Sequence, residues 1–464
     1  MTLWSSESEQ SPADSVLDFT QSLDVDYRLY PYDIEASIVW AEALAIAGAI
    51  PHSEFERIQS TLESIEQEFE NGEFELDPEL EDIHMNIEQE LIDRLGDTGA
   101  RIHYGRSRND QIMVDVRLYL KDVIRECQQK LADLLQVLAD RAGEQKETFL
   151  PGYTHLQPAQ PIRLAHYLMA YFQGFRRDFE RLDDLMPRVD VLPLGSAALA
   201  GSGVDIDREF LARELGFSSI SQNSMDAVAD RDFMVEAIQV FTQVALHASR
   251  LCEDWVIWSS PSVGFCEIDE QYTTGSSIMP QKQNPDVAEL IRGHSGRLVG
   301  SLQGLINVVK GQPMAYNRDL QEDKVHLFSA IDSVLGWLPL FSDMIRTASF
   351  DEQSMEEALE KGYLGATDLA DYLVEKGVPF REAHNAVRDV VHKAIQQDVT
   401  LSNLPLEEYL EVHDKFDPTI FEKLTPREST KMRDLPGGTG PTAVTQQIDA
   451  ARAWLKDHKE NKES

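Results

Sequence analysis

The sequence predicts an all-α protein built around a bundle of long helices. Three observations carry that prediction. No alternating apolar–polar run of strand length persists anywhere in the chain. Several stretches much longer than an ordinary helix repeat apolar residues at spacings of three and four. Some of these stretches are apolar on more than one side, so each must be covered on several faces, as helices in a bundle are.

At 464 residues the chain is long enough for two or three domains. Its helical patterns change character twice, dividing a mixed, acidic helical region over 1–105, a long-helix bundle over 106–357 and a region of shorter helices over 358–464. The first shows short helical patterns at Ile34–Ala49 and Glu54–Phe69, then a turn region from Asn71-Gly72 to Pro78. The bundle opens near Asn109 with the stripe Met113, Val116, Leu120, Val123, Cys127, Leu131, Leu134 and Leu138. After Asp230, a heptad seam runs through Met234, Ile238, Phe241, Ala245, Ala248, Cys252 and Trp255. A third long helix is expected from Pro285 towards Val309, with Asn284 as its cap. Gly293, Gly296, Gly300 and Gly304 fall almost on one ridge of it. Each costs about 1 kcal/mol relative to alanine, which makes sense where another helix packs closely. A fourth long helix spans roughly Val325–Ala348, and shorter amphipathic helices follow, broken by the turn at Leu435–Pro441. Helices this long and this widely apolar are expected to assemble with copies of the same chain.

The net charge is -39, from 42 basic and 81 acidic residues, which speaks against binding nucleic acid by phosphate neutralisation. An acid excess with few lysines fits a cytoplasm of high salt, where self-repulsion is screened. Cys127, Cys252 and Cys266 have no metal-ligand spacing and read as buried free thiols in a reducing compartment. The N-terminus lacks the pattern of a signal peptide, and no apolar run was expected to approach membrane-spanning length. A cytoplasmic location follows as the expectation.

Four segments concentrate reactive side chains. Gly105–Gln111 carries two arginines suited to gripping carboxylates and Asn109, both donor and acceptor. Gly152–Gln157 sets His155 beside Thr154 in a turn bounded by Gly152 and Pro158, a position for an acid or base. Gly275–Pro285 packs Ser276, Ser277 and Lys282 into a loop leading into a helix N-terminus, which favours anions. Ala315–Lys324 presents Tyr316, Gln321 and Lys324. No zinc-like histidine spacing, phosphate loop or nucleophile elbow is present, so neither metal nor nucleotide cofactor is expected. Serine, histidine and several cations together suit proton abstraction beside a carboxylate, where convergent donors must stabilise the added charge.

These motifs resemble those of the fumarase/aspartase superfamily of lyases. Within it, Gly105–Gln111, Pro151–Gln157, 223–233, the Gly275–Pro285 loop and Ala315–Lys324 are similar in order and spacing to argininosuccinate lyases. The resemblance runs from about Ser22 to about Gln447. It implies a three-domain fold, a homotetramer with active sites shared between subunits, and reversible β-elimination of argininosuccinate to arginine and fumarate without cofactor. It implies catalytic roles for Ser276 and His155, with Glu289 orienting His155 and Lys282 stabilising the intermediate. It implies substrate contacts from Ser22, Arg108, Asn109, Thr154, Tyr316, Gln321 and Lys324. The resemblance leaves open which of the catalytic pair takes the carbon-bound proton; the reading adopted is Ser276 as base and His155 as acid. The chain departs from the family at Trp4–Glu7, at Tyr104 and at Gly440. A sibling lyase acting on fumarate, aspartate or adenylosuccinate, and a structural protein that kept only the fold, are the alternatives.

Overall fold

The computed structural model describes residues 14–463, so the N-terminal departure at Trp4–Glu7 lies outside the described residues. Helices dominate; the strands among the described residues form four two-stranded sheets. The chain groups into two compact units. One takes residues up to Gln128, Glu180–Gln243 and Gly296–Val334; the other takes Gln129–Phe179, Val244–Ser295 and the chain from Leu335. The helices Arg108–Glu144, Leu164–Val189, Asp232–Trp258, Asp286–Val309 and Asp323–Thr347 each supply residues to both.

The predicted stripes are the buried ones. Every residue of the Met234–Trp255 seam is fully buried, as are Met113, Val116, Leu120, Cys127, Leu131, Leu134 and Leu138. Burying such a side chain stabilises the fold by about 1.5–3 kcal/mol, so the two stripes anchor their helices. The Leu164–Val189 helix was not anticipated. Its buried Leu164, Leu168, Phe172, Phe175, Phe179 and Leu182 follow the same spacing of threes and fours.

In the first unit, the helices Tyr30–Ile46, His52–Asn71 and Ile83–Leu95 enclose Ile34, Trp40, Leu44, Ile58, Leu62 and Leu91. Gly72 closes the second of these with φ 70°, the left-handed C-cap that glycine adopts without strain. Asp82 caps the third by accepting from Met85 N at 2.7 Å.

In the second unit, Phe149–Thr154 and Gln157–Arg163 form an antiparallel hairpin where only a turn was expected. Pro151, Pro158 and Pro161 masked it in the sequence; a two-stranded ribbon leaves edges on which proline is tolerated. The third long helix begins at Asp286 rather than Pro285. Asn284 pairs with Thr274 in a short ribbon instead of capping, and the first helical bond runs from Glu289 N to Pro285 O at 3.0 Å. The C-terminal helices pack around Leu369, Leu373, Val390, Tyr409, Phe416 and Ile420.

Arg318–Thr347 is long and apolar enough to cross a membrane by composition, contrary to the expectation that no run approaches that length. It carries the buried ions Asp323 and Lys324, and 56% of its apolar window is buried within the chain.

Candidate active site

In the second unit, the Thr274–Gly275 and Gln283–Asn284 ribbon closes the loop that carries Ser276 and Lys282 at its two ends. Ser276 is partly buried. Its Oγ accepts from Ile278 N at 3.3 Å and Met279 N at 3.2 Å. Two N–H groups aimed at one hydroxyl oxygen stabilise negative charge on it. Lys282 N returns to Met279 O at 3.0 Å, which folds the loop back on itself and leaves the ammonium exposed. The Thr274 hydroxyl donates to Asp286, tying the ribbon to the helix that follows. Glu289 lies exposed in the first turn of that helix.

Thr154 and His155 stand at the exposed tip of the hairpin. The two linking residues, His155 and Leu156, have φ of 55° and 56°. A two-residue link with both residues left-handed is the turn that normally takes Asn-Gly. Holding other side chains there costs of order 1–3 kcal/mol each, and such strain gathers at functional sites. Leu156 is also 78% exposed, so the hairpin offers an apolar tip together with an imidazole. No hydrogen bond or ion pair joins His155, Ser276, Lys282 and Glu289 to one another among the described residues.

In the first unit, Ser22, Tyr316, Gln321 and Lys324 cluster. Ser22 Oγ donates to Asp26 Oδ2 at 2.6 Å, and Ser22 N donates to Glu81 O at 2.9 Å. Gln321 Nε2 and Arg318 Nη2 both donate to Thr20 O, at 3.0 and 2.7 Å. Lys324 pairs with Asp323 Oδ1 at 3.0 Å, and Arg231 Nε holds the other oxygen at 2.5 Å. Burial pushes the Asp323 carboxyl up, but Lys324 and Arg231 outweigh it and hold the acid below its ordinary range. Burial raises the Tyr316 phenol and the Asp26 carboxyl; Lys324 is close enough to pull against both shifts.

Asn109 Nδ2 donates to Ala198 O at 3.1 Å. Next to it, the buried Asp110 accepts from Ser107 N, Gly195 N and Ala197 N at 2.7–2.9 Å, pinning the 195–198 loop to the start of the Arg108–Glu144 helix. A cavity of about 490 Å³ opens there, lined by Gly105, Ser107, Arg108, Ala197 and Ala198 among others. Both arginines expected to reach for substrate are engaged inside the chain. Arg106 is buried with Nη1 on Ser37 Oγ at 2.9 Å. Arg108 Nε donates to Asp82 Oδ2 at 2.9 Å and Nη1 to Gln111 Oε1 at 2.5 Å.

Asp110, Arg231 and Asp323 lie inside the quoted motifs, but nothing in the sequence marks them as buried partners of the site residues. A buried cluster of Asp33, His84 and Asp115, three donor side chains of types that can ligate a metal, is equally unmarked. Their separation along the chain left no spacing signal.

A helical bundle bearing a Gly-Ser-Ser loop and an exposed Thr-His hairpin defines the class: a lyase of the fumarase/aspartase kind. The lyase family model matches residues 9–300, and the argininosuccinate lyase C-terminal model matches 363–431. Among solved structures, an EDDS lyase variant with bound fumarate superposes with a TM-score of 0.83 at 26% identity, covering 97% of this chain and 92% of that one. A class II fumarase from Schistosoma mansoni shares the fold at a TM-score of 0.73 and 18% identity, covering 86% of this chain and 90% of that one. Argininosuccinate lyase from Moorella thermoacetica is 49% identical over 455 residues, covering 98% of each chain. The Heliobacterium mobile enzyme of the same name is 47% identical over 453 residues, covering 98% of this chain and 99% of its own. The chain belongs to the argininosuccinate lyase family.

Proposed function

We propose that this protein cleaves argininosuccinate reversibly to arginine and fumarate, as a step of arginine biosynthesis in the cytoplasm. The observation that carries the chemistry is the Ser276 hydroxyl, its oxygen held by two backbone N–H groups in the loop that also bears Lys282. Full-length kinship with enzymes named argininosuccinate lyase supports the choice of substrate.

Ser276 takes a proton from the succinyl carbon next to a carboxylate. The electron pair moves onto that carboxylate, where Lys282 stabilises the added charge. The pair then returns to form the fumarate double bond as the carbon–nitrogen bond breaks. His155, oriented by Glu289, gives a proton to the departing guanidinium nitrogen. Ser22, Asn109, Thr154, Tyr316, Gln321 and Lys324 hold the two ends of the substrate by their donors.

The site is completed in a homotetramer. The Asp286–Val309 helix supports this reading, because Leu290, Val299 and Ile306 are exposed along it at 64%, 48% and 40%. Gly293, Gly296 and Gly300 beside them meet nothing within 4 Å. A partner's helix fits such a face, and bringing copies together supplies His155 and Ser276 to one site.

The test is fumarate absorbance with argininosuccinate, malate, aspartate and adenylosuccinate as substrates. Release from argininosuccinate is expected; release from malate but not from argininosuccinate would sink the assignment. Ser276→Ala and His155→Asn are each expected to lower kcat by about 10²–10⁴-fold with the oligomer intact by light scattering. Full activity in either variant refutes its role.

A further inference from the structure

Asp33, His84 and Asp115 meet in the first unit, one from each of the helices Tyr30–Ile46, Ile83–Leu95 and Arg108–Glu144. All three side chains are at most 1% exposed. His84 Nδ1 lies 3.1 Å from Asp33 Oδ1 and 3.3 Å from Asp115 Oδ2. Neither oxygen of Asp115 and neither ring nitrogen of His84 completes an aligned hydrogen bond. Two carboxylates at one buried imidazole crowd like charge in the interior, with Arg106 the buried cation nearby, and such crowding is costly. A single proton taken up by the pair of carboxyl groups relieves it.

Outward from Asp33 the contacts are aligned. Gln111 Nε2 donates to Asp33 Oδ1 at 2.5 Å, and Gln111 Oε1 accepts from Arg108 Nη1 at 2.5 Å. Arg108 Nε reaches Asp82 Oδ2 at 2.9 Å, and the other oxygen of Asp82 caps the His84 helix. Gln111 makes both bonds in only one orientation of its amide. The charge on Asp33 therefore selects that orientation, and the amide holds the arginine next to Asn109. The other charged groups around the cluster are Arg106 and Arg108 at the start of the Asp115 helix, Glu88 and His103 near Arg108, and Asp26 beside His84.

We propose that Asp33, His84 and Asp115 form a proton-sharing positioning centre that acts through Gln111 and Arg108 to hold Asn109 in its substrate-binding orientation. The proposal rests on the reading of Asn109 as a substrate contact. It makes Arg108 a brace rather than a ligand for substrate. A divalent cation at the same three side chains is the rival, opposed by Arg106 and Arg108 nearby and by the Gln111 amide already on Asp33 Oδ1.

Steady-state kinetics of fumarate release on the full-length oligomer tests it, with circular dichroism melting as the control for folding. Asp33→Asn and Gln111→Met are expected to raise KM about tenfold or more while kcat changes less. Gln111→Met leaves the charged trio intact, so it decides the matter where Asp33→Asn fails to fold. Asp115→Asn keeps the shape and the donor of a protonated acid, and KM should stay within about threefold of the parent; Asp115→Ala should behave like Asp33→Asn. Unchanged KM in Gln111→Met, or Asp115→Asn as impaired as Asp115→Ala, overturns the proposal. So does a melting temperature raised by Zn²⁺ or Mn²⁺ in chelator-stripped protein but not in Asp33→Asn, which assigns the cluster to a cation. Asn109→Ala reports separately: an unchanged KM there refutes the Asn109 reading, while the centre is then judged by melting, where Asp115→Asn should match the parent more closely than Asp115→Ala.

Discussion

Asp33 and Asp115 are the same residue type in one cluster, and the fold drives them in opposite directions. Burial, then the Asp33 charge, pushes the Asp115 carboxyl well above its ordinary range. At Asp33 burial also pushes upward, but His84, Arg106 and Gln111 prevail and hold it low. The two therefore carry opposite linkage to pH. The native state keeps the Asp115 proton that the unfolded chain releases above about pH 3.9. Its contribution is complete below that value and is lost as pH rises through the folded value. The contribution of Asp33 is present above about pH 3.9 and is lost only as pH falls through its lowered folded value. Asp115→Asn removes the first dependence and leaves the second. Its melting temperature relative to the parent protein should therefore climb from about pH 4 towards neutrality. A difference that stays flat across that range would mean Asp115 is ionised in the fold. Ser276, His155 and Lys324 were legible as motif residues in the sequence. The left-handed backbone of His155 was not, because nothing in Thr-His-Leu-Gln announces a turn that normally takes Asn-Gly.

At the scale of elements, spacing alone placed four of the long helices, because a stripe that must be buried repeats with the helix period. The Leu164–Val189 helix carries an equally regular stripe, with Pro187 and a dense run of charges on its outer side obscuring it. The glycine ridge separates into two parts. A side chain at Gly304 would come within 2.2 Å of the His326 ring, so this glycine serves packing inside the chain. Gly296 and Gly300 face open space. Alanine at these two should strengthen the isolated helix by up to about 1 kcal/mol each and yet weaken assembly. If the parent protein forms the proposed tetramer, gel filtration with light scattering on a Gly296→Ala/Gly300→Ala variant is expected to show smaller species. A fully tetrameric variant would remove the ridge from the subunit contact.

Across the whole molecule the dominant quantity is the net charge of -39. Assembly of such chains concentrates like charge, and salt screens it over a Debye length that shrinks from about 10 Å at 0.1 M to about 3 Å at 1 M. Melting temperature, tetramer fraction and activity should all rise between low and molar potassium chloride. A flat response in all three would remove the high-salt habitat. Paired charges temper the effect locally: Arg94 with Glu68 and Glu90, and Lys393 with Glu408 and Glu411, hold acids that otherwise only repel.

By itself the sequence determined the all-α class, the buried seams and the motifs of the family. Helix periodicity and short motifs are local properties, written in neighbouring residues. Tertiary structure decided what those residues face. It turned Arg106 and Arg108 inward to Ser37, Asp82 and Gln111. It aimed two backbone N–H groups at Ser276, and it set Asp33, His84 and Asp115 around one point. These arrangements depend on how helices distant in sequence pack, and the burial that packing creates sets the charge each group carries.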